Sequence, residues 1–116
     1  MRKVRRKDCV ILPLVLKGKW YDMIASGEKK EEYRELKEFW IKRIEKWQDG
    51  RMDELFPQMD LKIDIIAFSC GYKKPDMFFI CDKILIRDST PRHPEWGEPC
   101  IKHFVLGLGE RVTLCD

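Results

Sequence analysis

Ser26-Gly27-Glu28-Lys29-Lys30-Glu31-Glu32-Tyr33-Arg34 is the stretch that decides how this chain folds. Before it, Trp20, Met23 and Ile24 repeat at helical spacing, so a short helix with one apolar face runs from Trp20 to Ser26. Gly27 predicts its end, because a glycine takes positive φ after a last helical turn at little cost. The charged run then leaves as an extended strand, with Lys30, Glu32 and Arg34 on one face and Glu31 and Tyr33 on the other. Lys29 sits beside the cap, where turn geometry decides its direction. A carboxylate between two cations holds an ion pair in place and leaves donors for an anion, a base edge or a carbonyl oxygen. A solvated edge strand with ordinary surface ion pairs has the same pattern.

The elements downstream follow from period and punctuation. Cys9 to Leu16 is an apolar run broken by Pro13, the pattern of a buried first strand with its proline at a bulge or an unpaired edge. Leu36, Trp40, Ile44 and Trp47 form the buried stripe of a second helix that ends at Gly50, and Met52 to Phe56 fits a short helical turn. Ile63 to Cys70 is apolar on both faces, and the turn from Gly71 to Asp76 leads into a strand from Met77 to Arg87, making a hairpin. Asp88 to Pro99 is a long polar loop, and two strands, Ile101 to Leu108 and Arg111 to Leu114, close the chain around Gly109-Glu110.

With Gly27, Lys29, Glu32 and Arg34 set after that helix, the chain resembles the ASCH domain family of the PUA-like superfamily. The resemblance covers nearly the whole chain. It includes Val10 to Leu14, the Gly71-Tyr72 turn, His93-Pro94-Glu95-Trp96-Gly97 and Phe104 to Gly109. It implies an α+β fold: a small mixed β-barrel of five to six strands with two or three helices at its rim and a cleft near the Lys-Glu-Arg strand. The function it implies is RNA binding or chemistry on nucleosides. Arg34, Tyr33 and Trp96 are then ligand-binding candidates, and Lys73 and Lys74 at the hairpin tip could touch phosphate or simply protect an edge. Some similar proteins are amidohydrolases that act on N4-acetylcytidine through a Lys, a Thr and a Glu. Lys29 matches the lysine and Asp82 falls near the glutamate, so Lys29, Glu32 and Asp82 are the catalytic candidates. Glu32 stands where the threonine would be. A carboxylate cannot deliver a hydroxyl nucleophile, but it could act as base to a water while Lys29 polarises the carbonyl. Other relatives of this kind are ribonucleases, whose catalytic set does not carry over clearly; Ser69, Thr90 and His93 are auxiliary candidates.

Whole-chain properties narrow the choice. At 116 residues, with 44% hydrophobic and 37% charged, a single soluble domain is expected. A basic arm at residues 1–7 precedes a body at residues 8–116. No apolar run approaches a membrane span and no secretory signal is recognisable, so a cytoplasmic location is expected. The five cysteines contain no Cys-x-x-Cys pair and read as reduced thiols. Cys100 and His103 would fall on opposite strand faces, so no metal and no cofactor is expected. Phosphate-binding glycine loops and the Gly-x-Ser-x-Gly elbow are absent from the sequence, which removes nucleotide-fuelled and common hydrolase readings. Five of the 23 positive residues lie in the arm, leaving 18 against 20 negative in the body. Attraction to RNA must therefore come from the arm or from local patches, unless the arm is only a solubilising tail.

Overall fold

The computed structural model describes residues 1–45 and 63–116. Trp47, Gly50 and the Met52 to Phe56 turn lie outside them. The fold is α+β. A six-stranded mixed sheet curls into a half-barrel in the order β1 (Lys3–Arg5), β6 (His103–Cys115), β5 (Met77–Arg87), β4 (Ile65–Cys70), β2 (Ile11–Leu16). β3 (Glu31–Glu35) pairs with β6 off this path. The helices are α1 (Gly18–Ala25) and α2 (Glu38–Glu45), with 3₁₀ turns at Arg6–Asp8 and Pro94–Trp96. No described helix is long and apolar enough to cross a membrane.

β2 runs parallel to β4, with Ile11 opposite Ile65 and Leu16 opposite Cys70. Only one of its faces is buried: Leu12, Leu14 and Leu16 point inward while Pro13 and Val15 are exposed. The apolar run thus belongs to a one-sided edge strand, and its outer edge is where a residue without an N–H does no harm. β4 is buried on both faces from Ile65 to Ser69, and β5 returns from it as the expected hairpin. Ile24 of α1 and Ile44 of α2 close over Phe68, Met77, Phe104 and Leu106 to complete the core.

One expectation is corrected. The closing segment is one continuous strand, not two. Its glycines serve close approach rather than a turn: a Cβ on Gly107 would lie 2.5 Å from Lys83 Cγ, in a ladder whose register against β5 shifts twice near Cys81. Part of the basic arm pairs with the body. Lys3–Arg5 adds a parallel strand to the end of β6, Lys3 opposite Thr113. Three of its cations already meet acids, Arg2 with Glu110 at 3.5 Å, Arg5 with Asp8 at 3.8 Å and Arg6 with Asp116 at 3.9 Å.

Because β6 carries β3 on the half of its edge that β1 leaves free, neither β2 nor β3 has a second neighbour among the described strands. Their free edges face each other across an open seam. Hydrogen-bond parity fixes which residues line it. Val10 and Leu16 direct their carbonyls to Ile65 and Gly71 on the β4 side, so Val15 presents its carbonyl to the seam. On β3, Lys30 accepts from Leu108 of β6, so Glu31, Tyr33 and Glu35 carry the outer edge.

Candidate functional site

The site grows from the end of α1. Gly27 has φ 86° and donates to the Ile24 carbonyl, while the Lys29 N–H reaches back 3.0 Å to the Met23 carbonyl. That bond turns the Lys29 side chain inward instead of outward. Lys29 is 3% exposed, and its ammonium donates 2.7 Å to the Trp96 carbonyl, pairs with Glu32 at 3.1 Å and lies 4.6 Å from the Trp20 ring centroid and 5.1 Å from that of Tyr33. Burial pulls its pKa below the usual lysine value, against the opposing pull of Glu32.

Glu32 is a clamped carboxylate. One oxygen faces Lys29, and the other accepts from Arg34 Nη2 at 2.7 Å. The same Nη2 donates 3.0 Å to the Val15 carbonyl, stitching β3 to β2 across the seam. Arg34 also lies over Trp40, 5.0 Å from the ring centroid. Its Nε is buried and has no hydrogen-bond partner, the one such side-chain nitrogen or oxygen among the described residues. An unpaired buried donor is costly, roughly 1–3 kcal/mol.

These groups line a cavity of about 510 Å³ that opens along the seam. Its lining is made by Val15, Leu16 and Lys17, by Lys29 and residues 32–35, and by Trp20, Lys37, Trp40 and Gly97. Gly97 is required there. It has φ 81°, and a Cβ would sit 2.7 Å from the Trp20 ring.

Of the residues singled out by sequence, Lys29, Glu32 and Arg34 converge on this cavity and Tyr33 borders it. Trp96 contributes its carbonyl through Lys29, while its ring stacks on His93, centroids 3.9 Å apart. Asp82 is exposed on β5 and is not part of the lining, displaced by the register shifts around Cys81. Lys73 and Lys74 are exposed in the β4–β5 turn, and neither lines the cavity. Ser69 is buried in β4, Thr90 is exposed, and the His93 ring is occupied by Trp96 and by Glu95 at 3.1 Å.

A second polar cluster lies behind β3, and sequence reading missed most of it. Glu31 accepts from the Tyr33 hydroxyl at 2.9 Å and Arg87 at 3.2 Å, and it pairs with Lys83 at 3.2 Å. Arg87 donates 2.6 Å to Glu98, which also accepts the backbone N–H groups of Arg92 and His93 at 2.8 Å each. Fully buried His103 sits with Nε2 2.7 Å from Glu98 and Nδ1 on the Ile101 carbonyl, so both nitrogens face acceptors. Burial by itself would raise the Glu98 carboxyl pKa, but its bonds from Arg87, the His93 N–H and His103 bring it down to about 2. Burial, then the neighbouring Glu31, pushes the Tyr33 hydroxyl well above its usual range. The signal available in sequence was the shared face of Glu31 and Tyr33. Among the described residues no group of His, Cys, Asp and Glu could hold a metal ion.

No family model, no curated protein and no solved structure matches this chain.

Proposed function

We propose that this chain is an RNA- or nucleoside-binding domain of the ASCH and PUA-like kind, holding a base in the cleft lined by Lys29, Glu32 and Arg34. The observation that carries the reading is the convergence of Lys29, Glu32 and Arg34 on the lining of one open cavity, the Arg34 guanidinium beside the Glu32 carboxylate. A donor next to an acceptor complements a base edge, which offers a ring or carbonyl acceptor beside an N–H. The volume of about 510 Å³ lies in the range of small-molecule sites. Trp20 and Trp40 in its lining supply apolar surface for a flat ligand.

Binding is favoured over hydrolysis by how Lys29 is used. Its ammonium already serves the Trp96 carbonyl and Glu32, and Asp82 lies outside the lining, so the lysine and second carboxylate of an amidohydrolase are not assembled on one reacting group. Tryptophan fluorescence titrated with ribonucleosides and with single-stranded RNA tests the reading, alongside product assays on N4-acetylcytidine. Binding that disappears in Arg34→Ala, without turnover, is expected. Product formation that depends on Lys29 would replace the binding module with the hydrolase, and no binding by any nucleoside or RNA would overturn the proposal.

A further inference from the structure

We infer that Glu98 is a positioning residue for the front cleft: from the rear network it closes the loop of residues 92–98 and so holds the Trp96 carbonyl on the Lys29 ammonium. The positioning stands on geometry alone, and its effect on affinity rests on the base-binding reading above. The first ground is that one short segment serves both polar faces of β3. Lys29 donates 2.7 Å to the Trp96 carbonyl in front, and two residues later the Glu98 side chain is wholly buried in the rear network. Gly97 stands between them, its φ of 81° turning the chain where a Cβ would collide with the Trp20 ring. Burial works against the Lys29 charge, so the ammonium depends on its two oxygen partners, Glu32 and this carbonyl.

The second ground is how the loop is fastened. Its regular structure is the single 3₁₀ turn Pro94–Trp96, with the Trp96 N–H 3.0 Å from the His93 carbonyl and the Gly97 N–H 3.0 Å from that of Pro94. A turn this short has little stability of its own. The Glu98 carboxylate closes it instead. One oxygen accepts the Arg92 and His93 N–H groups at 2.8 Å each, and the other lies 2.6 Å from Arg87 Nη1 and 2.7 Å from His103 Nε2. A single side chain thus ties the start of the loop to its end and both to β5 and β6. The Trp96 ring is held by the same closure, stacked on His93 and packed against Tyr33, Leu85 and Val105. A carboxylate that loses either set of donors releases the segment that carries the carbonyl.

The first arm of the test needs no ligand. The folded full chain is acetylated briefly with acetic anhydride, and the modified lysines are read by mass spectrometry against exposed Lys73 as the internal reference. In the wild type, Lys29 is expected to stay protected. Glu98→Gln sets an amide N–H₂ against donors, and Lys29 is expected to react roughly tenfold faster relative to Lys73, as loss of one hydrogen-bonded contact allows. Glu98→Asp keeps the charge beside Arg87 and His103 but is a methylene short of the loop amides, so it exposes Lys29 in a chain that retains the ion pair. Ile66→Val, in the core on β4, leaves Lys29 protected and separates positioning from general loosening. The second arm titrates the same proteins with ribonucleosides and a single-stranded RNA of mixed sequence, and binding about tenfold weaker in Glu98→Gln than in Ile66→Val is expected. Lys29 still protected in both Glu98 variants, Lys29 equally exposed in Ile66→Val, or unchanged affinity beside an exposed Lys29 overturns the inference. Failure of both Glu98 variants to fold overturns it too, making Glu98 a folding residue only. No binding by the wild type overturns the base-binding reading alone, because acetylation still decides the positioning.

Discussion

β3 presents two polar faces built from alternate residues of one short strand, and they differ in completeness. Behind it, Glu31, Arg87, Glu98 and His103 form a closed network in which each carboxylate meets a cation and further donors. In front, Lys29 and Glu32 are equally buried, but Arg34 ends the row with a nitrogen that nothing answers. The rear network is saturated and walled in, whereas the front one borders an open cavity of about 510 Å³. Gly107 shows how tightly the rear face is built, since its missing side chain leaves the space through which Lys83 reaches Glu31.

The largest effect should come from the rear face. Arg87→Ala strands two buried carboxylates and is expected to cost about 3–5 kcal/mol in urea denaturation. A cost below about 1 kcal/mol would erase the distinction between the faces. The same network sets an acid limit. Glu98 is held down to about 2 in the folded chain, so its stabilisation is complete above the ordinary glutamate range and drains away as pH falls through that range toward 2. Glu98→Gln should be less stable at neutral pH and show a shallower loss between pH 5 and 2, roughly the range bounded by the free and folded values.

Gly27 and the parity of β3 were legible in the sequence because each depends on a few adjacent residues. The same holds for the Met77 to Arg87 strand, whose ends the structure reproduces. The rear network was not, because positions 31, 87, 98 and 103 meet only through sheet register, Arg87 opposite His103 on β6. Charged residues within a strand read as solvent-facing until a partner from another strand is known. β1 hid for a related reason. Lys3–Arg5 has no apolar period, and what orders it is pairing with the far end of β6. Of the site, the trio could be named, but the seam that opens it follows from β2 and β3 lacking second neighbours, a property of topology rather than of any local pattern.

A smaller effect is expected where α1 ends. Nothing lies within 4 Å of a Cβ on Gly27, so Gly27→Val is strained by its φ of 86° alone and should cost about 1–2 kcal/mol. An unchanged melting curve would show that the front face does not depend on this turn for its aim. The smallest stability effect belongs to Arg34, whose removal leaves Glu32 still paired with Lys29 and deletes an unsatisfied donor.

Arg34→Ala and Arg87→Ala compared in one urea series, with RNA and nucleoside titrations on the folded proteins, test the contrast most directly. The expected result is a stability cost for Arg34→Ala below about 1 kcal/mol together with complete loss of binding, beside a cost several times larger for Arg87→Ala. An Arg34→Ala cost of about 3 kcal/mol or more would make Arg34 a structural bolt between β3 and β2, and the front face would be as closed as the rear.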